Sequence, residues 1–170
     1  MSAWLGAVSA DPHSLRAFCG SYDQALHIVN MQSRPPRLIK TLRDGHEGSI
    51  RCLAVDSSNP HVTVYSGSFD FTVGIWSVGA AGEEDDSCLS GKLHGHESTV
   101  TAVCWCPTLG DGRLISGDEQ GRMVVWNMDK RRVLFSVEAH DDALLGTVPS
   151  LSTTSLFLFL LYVCPPVVSN

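Results

Sequence analysis

The chain has 170 residues, of which 44% are hydrophobic and 18% charged, with a formal net charge of −6 at pH 7. That length supports one domain with a buried core, and that balance excludes wholesale disorder. It also excludes a protein that grips nucleic acid by its phosphates, because Lys130-Arg131-Arg132 is the only basic cluster and no cationic surplus exists to displace counterions.

In chain order, the first residues, Met1 to Ser14, lack a basic segment followed by a long apolar run, so no signal peptide is expected. The six cysteines are Cys19, Cys52, Cys88, Cys104, Cys106 and Cys164. They form no Cys-x-x-Cys pair and no Cys/His spacing suited to zinc, so no metal and no other cofactor is expected. Free thiols in a reducing cytosol or nucleus follow, and Cys104 and Cys106 read as two positions on one strand.

Three stretches then repeat: "FCGSYDQALHIV" (Phe18 to Val29), "YSGSFDFTVGIW" (Tyr65 to Trp76) and "ISGDEQGRMVVW" (Ile115 to Trp126). Their glycines stand at 20, 67 and 117, a period of about 50 residues, in the range that marks repeat architectures. A second marker keeps the same phase. Gly45-His46 and Gly95-His96 precede the second and third copies, and His140 stands in a weaker third version, "VEAHDDALLG".

Between the markers the texture is β. Ile50, Leu53 and Val55 match Val100, Val103 and Trp105 as a first strand, and turns rich in Asn, Pro, Asp and Gly follow. A second strand runs into Ser-Gly ("VTVYSG", "RLISG"), a third is "TVGIW" or "MVVW", and a weaker fourth is "RLIKTL", "CLSGKL" or "RVLFSV". Four short strands per unit with little helix predict antiparallel four-stranded meanders. Several strands are apolar on both faces, as expected of a sheet packed between two others.

Gly-His, then a four-stranded unit closing on Ile-Trp, resembles the WD-repeat family. The resemblance covers roughly Ala7 to Asp142 and implies an all-β fold, a partial β-propeller of about three four-stranded blades. The blades are expected at about 3–42, 43–93 and 94–138, within a propeller segment 1–142. A narrower likeness is to the propeller of WD-repeat and FYVE-domain proteins. It rests on a Trp-less unit, two Gly-His units and then "VVWNMD" (Val124 to Asp129). The cysteine-rich zinc module of those proteins is not in this sequence, so their lipid function does not carry over.

The resemblance also implies a hydrogen-bonded tetrad, matched in the second unit by His46, Ser66, Asp70 and Trp76. A Ser, a His and an Asp are the parts of a hydrolytic triad as well. However, a nucleophile needs exposure and an oxyanion hole, and Ser66 closes a strand in a repeated unit. No catalytic residue is therefore expected. The third unit keeps His96, Ser116 and Trp126 but has Gln120 in the Asp column, so a partial, uncharged and weaker tetrad is expected, with Asp118 facing solvent. On that reading His46→Ala destabilises more than His96→Ala. The first unit has Asp23 but Cys19 and Val29 in place of Ser and Trp, and is expected to rely on apolar packing.

From Ala143 to Asn170 the sequence holds no charge and the repeat phase is lost, so a tail outside the propeller is expected. Its dense apolar stretch, Leu156 to Cys164, is short of the roughly 20 residues a spanning helix needs, which makes a membrane anchor the less favoured reading. About three blades is below the roughly 4–8 of a closed propeller, and a truncated piece of a larger one is expected.

The family resemblance implies a non-catalytic scaffold, cytoplasmic or nuclear, for a protein or peptide partner. No nucleic acid and no small-molecule substrate are expected. Tyr22, Phe69 and Glu119 lie beside the tetrad turns and are the candidate contacts; the competing reading is that each ring covers its own hairpin. The acidic insertion Gly79 to Ser87 reads as a solvated loop or a dock for a basic partner. Two alternatives stay open: a protein anchored in the membrane by its apolar C-terminal segment, and an endosomal phosphoinositide-linked adaptor without its zinc module.

Overall fold

The computed structural model describes residues 4–57, 62–79, 87–107, 112–139 and 144. Among the described residues, twelve strands form three four-stranded antiparallel sheets, each in simple sequence order. The first sheet holds β1 (Leu5–Asp11), β2 (Arg16–Ser21), β3 (Leu26–Asn30) and β4 (Arg37–Leu42). The second holds β5 (Ile50–Asp56), β6 (Val62–Ser68), β7 (Thr72–Val78) and β8 (Cys88–His94). The third holds β9 (Val100–Cys106), β10 (Arg113–Asp118), β11 (Arg122–Asn127) and β12 (Arg132–Glu138). No helix occurs among the described residues.

The first strands β1, β5 and β9 lie side by side, whereas β4 and β8 are partly exposed and β12 wholly so. Each sheet is thus a blade with an inner and an outer edge, and the expected propeller-like, all-β architecture is the one observed.

The alternation of side chains along a strand splits the middle blade between two cores. Val64, Trp76 and Val78 face the first blade and pack with Phe18, Leu26, Ile28 and Leu42. Tyr65, Val73 and Ile75 face the third and pack with Val100, Val103, Leu114 and Trp126. This explains why β6 and β7 are apolar on both faces. Polar ties cross the same seams: Arg16 donates to the Gly79 carbonyl at 2.6 Å, and Arg131 donates to the Ser90 carbonyl at 2.9 Å.

One contact recurs at every seam. The residue that opens an inner strand is seated over the glycine of the preceding blade's second strand. Ile50 lies over Gly20, Val100 over Gly67, and Leu144 over Gly117. Leu144 is fully buried against Ile115, Met123 and Val125. Its amide donates to the Asp118 carbonyl at 3.1 Å, and its own carbonyl accepts from the Thr101 hydroxyl. The propeller packing therefore reaches beyond the expected limit at 142, because an apolar residue standing four after His140 fills the socket that Ile50 and Val100 fill elsewhere. The rest of the tail, 145–170, and most of the acidic insertion, 80–86, lie outside the described residues.

Candidate functional site

The second blade draws His46, Ser66, Asp70 and Trp76 into one network. His46 comes from the loop before β5, Ser66 from β6, Asp70 from the β6–β7 turn and Trp76 from β7. The Asp70 carboxylate only accepts, so the His46 Nδ1–H donates to it, at 2.8 Å. Nε2 is then an acceptor, and the Ser66 hydroxyl donates to it at 2.7 Å while receiving the Trp76 indole N–H at 2.7 Å. The Thr72 hydroxyl donates to the other Asp70 oxygen at 2.6 Å. Burial alone would raise the Asp70 pKa, but the hydrogen bonds from the His46 ring, the Thr72 hydroxyl and the Glu47 amide outweigh it and hold the carboxyl well below its ordinary value. Gly45 is required because its Cα lies under the indole; an added Cβ would stand 2.6 Å from Trp76 Cζ2.

The third blade builds the same network with a different carboxylate. His96 donates to Asp118 at 2.7 Å, Ser116 donates to His96 Nε2 at 2.6 Å, and Trp126 donates to Ser116 at 2.7 Å. His–Trp ring centroids are 6.1 Å apart in the second blade and 6.2 Å in the third, with interplanar angles of 56° and 53°. Two sequence-based expectations are corrected. Asp118 does not face solvent, being 1% exposed, and Gln120 takes no part through its side chain, which is exposed.

The reason lies in the turn. In the second blade Ser68 accepts the Asp70 amide at 3.1 Å, and Asp70 accepts the Thr72 amide at 3.0 Å. In the third, Asp118 stands in the Ser68 column and accepts both the Gln120 and the Arg122 amides at 3.0 Å through Oδ1, leaving Oδ2 for the histidine. One carboxylate does the work of two side chains. The third network therefore contains a carboxyl group, like the second.

The first blade has neither network. Ser21 and Asp23 shape its turn by accepting the Asp23 and Ala25 amides, and Asp23 lies 3.4 Å from Arg43 and 3.6 Å from His27.

Could the Ser–His–Asp relay act as a triad? Its distances are those of one, but Ser66 is wholly buried and His46 3% exposed, and the indole N–H occupies the serine oxygen. A substrate carbonyl has no approach to that oxygen, and the arrangement binds a loop to a sheet.

The exposed residues of the same face differ. Tyr22 and Phe69 are each 42% exposed, and the structure brings them to a common neighbour that the sequence reading missed, Arg51 near the start of β5. Its guanidinium carbon lies 5.8 Å from the Tyr22 ring centroid and 5.1 Å from that of Phe69, and it donates to the Tyr22 hydroxyl. Glu119 is exposed in the third blade, its amide bonded to the Thr99 carbonyl. No repeat marker singles out Arg51, because its role arises across two blades. Among the described residues no group of His, Cys, Asp and Glu is arranged to hold a metal ion, and no helix is long and apolar enough to cross a membrane.

Stacked four-stranded blades held by buried His–Ser–Asp–Trp clasps define a propeller of repeated units. Residues 36–77 and 87–127 match the WD domain, G-beta repeat, and the chain belongs to the WD-repeat family. Each match spans the outer strand of one blade and the three inner strands of the next, so a sequence repeat bridges two sheets.

Among curated proteins, the chain is 31% identical over 131 residues to the mouse WD repeat and FYVE domain-containing protein 1, covering 77% of this chain and 30% of that protein. It is 32% identical over 116 residues to the Caenorhabditis briggsae WD repeat and FYVE domain-containing protein 2, covering 68% and 25%. The chain thus spans under a third of the length of these relatives. Among solved structures, U3-55K aligns with a TM-score of 0.70 at 18% identity over 86% of this chain and 43% of that one. The computationally designed Ika4 protein aligns with a TM-score of 0.67 at 19% identity over 88% and 82%. Both likenesses concern the fold. WD-repeat proteins serve in general as scaffolds for protein interaction.

Proposed function

We propose that the chain is a non-catalytic interaction module, about three blades of a larger propeller, that docks a protein or peptide partner on the face carrying Tyr22, Phe69 and Glu119. The supporting observation is the division of labour at that face. The Ser, His and Asp side chains that mimic a hydrolytic relay are locked inside the clasps, while aromatic rings of the kind that dominate binding hot spots stand partly in solvent. The partner is a polypeptide, not a nucleic acid, a lipid surface or a small substrate, and the setting is the cytoplasm or nucleus.

The proposal of a larger propeller is supported by Leu5 and Val8. They hold the columns of Ile50 and Leu53 yet are 55% and 63% exposed, as inner-strand residues awaiting a preceding blade would be. Transcript sequence past codon 142 tests this part: further Gly-His and Ile-Trp markers support it, and their absence from every frame opposes it.

The scaffold role is tested by quantitative cross-linking capture on the full chain. Partners retained by the wild type and by an Arg34→Ala control, but lost by a Tyr22→Ala/Phe69→Ala variant, are the expected result. An unchanged partner set in the double variant would overturn the assignment of the face.

A further inference from the structure

Arg51 sits in an unusual state for a cation. It is flanked by two aromatic rings and tied to one phenolic oxygen, yet among the described residues it has no carboxylate partner. The acidic groups nearest in sequence to its two rings are committed elsewhere. Asp70 accepts from His46, Thr72 and the Glu47 amide and lies 3.7 Å from Lys92. Asp23 is held by Arg43 and the Ala25 amide. The Tyr22 side of the stack is also fixed, because the Ser49 hydroxyl donates to the Tyr22 carbonyl at 3.1 Å across the blade seam.

A guanidinium carries five donors in a planar fork, of which one is used here. The rings lower its conformational freedom before any ligand arrives, so little further entropy is lost on binding. An arginine held this way is suited to bidentate recognition of a planar anion, and the exposed ring edges beside it suit the methylenes that carry such a group.

We propose that the Tyr22–Arg51–Phe69 stack, at the seam of the first and second blades, is the receptor for a glutamate or aspartate side chain of the docking peptide. This rests on the scaffold reading above and adds the chemistry of the ligand. A carboxylate is favoured over a phosphate because, among the described residues, Arg51 is the one cation set against these two rings, and the chain carries a net charge of −6, which opposes a dianion more than a monoanion.

The test is selection of random dodecapeptides displayed on phage against the full chain, followed by titration of the selected peptides. The expected result is enrichment of Glu or Asp at one position, and a loss of at least about ten-fold in affinity for Arg51→Ala and Arg51→Lys alike. Replacing the peptide acid by Gln should give a similar loss, and the two losses should not add when combined. Denaturation midpoints of the Arg51 variants separate a binding defect from an unfolded blade. Phosphoserine preferred ten-fold over Glu would overturn the carboxylate in favour of a phosphopeptide. Binders lost in Tyr22→Ala/Phe69→Ala but indifferent to Arg51 and to acids refute this inference and leave the scaffold face standing. Failure to select any binder counts against both.

Discussion

His96 and Asp118 are each 1% exposed at the side chain, so their clasp is about as sequestered as that of His46 and Asp70, and it too is built on a carboxyl group. Removing a buried partner costs on the order of 1–3 kcal/mol. His46→Ala and His96→Ala should therefore shift the denaturant midpoint by similar amounts, Asp118→Ala should match them, and Gln120→Ala should stay within about 0.5 kcal/mol of wild type. A large effect at Gln120 with none at Asp118 would restore the column-by-column reading. Acid should act through the same residues. Burial, aided by the Arg122 charge and opposed by Asp118, lowers the His96 pKa below its ordinary 6.5. The unfolded chain then binds the proton more readily, so this contribution is present above pH 6.5 and is lost as pH falls through the folded value. Asp70, also lowered, gives up its share only below its ordinary 3.8. Urea midpoints should decline as the pH falls below about 6.5 in the wild type, and His96→Asn should flatten that decline. The second clasp was legible because all four of its residues keep the family's columns. Asp118 was misread because a column marks a residue's place in the chain, whereas a carboxylate two residues earlier can reach the same imidazole from across the turn.

The strands themselves followed from the apolar runs aligned between repeat copies and from the turn residues between them, and three four-stranded antiparallel sheets are what the structure holds. What patterning could not supply is the contact between consecutive units, since it depends on which strand faces which neighbour. Arg51 and Leu144 are both of this kind: neither belongs to a repeat marker, and each acquires its role only when a second blade is laid against its own. The glycine sockets show how tight that contact is. A Cβ on Gly67 would stand 2.6 Å from Val100 Cγ1 and would also meet Cys52 Sγ. Gly67→Val should therefore push β9 away from the second blade and cost about 1–3 kcal/mol, the usual range for overpacking. Gly91 serves as the control, because a Cβ there meets mainly the flexible end of Arg131, at 2.9 Å, and Gly91→Ala should be close to neutral. Equal midpoints for the two variants would mean that the seam yields more easily than its geometry implies.

At the scale of the whole molecule, three stacked blades have two outer faces, and they are not alike. The forward face of the third blade is partly closed, since Leu144 is seated over Gly117. Among the described residues the backward face of the first blade is uncovered, with Leu5 and Val8 exposed beside Trp4 at 80%. Fully burying a residue of this size contributes about 1.5–3 kcal/mol, so the open face is a substantial drive toward association. The sign of a charge substitution there depends on what the face does. If no part of the chain covers it, Leu5→Asp and Val8→Asp remove no buried contact. Their midpoints should stay near wild type while light scattering shows less concentration-dependent association. Ile50→Asp, placing a charge in the equivalent but covered socket over Gly20, should unfold the protein. If Leu5→Asp unfolds the chain as readily as Ile50→Asp, the first blade is already covered from within, and the case for a preceding blade is lost.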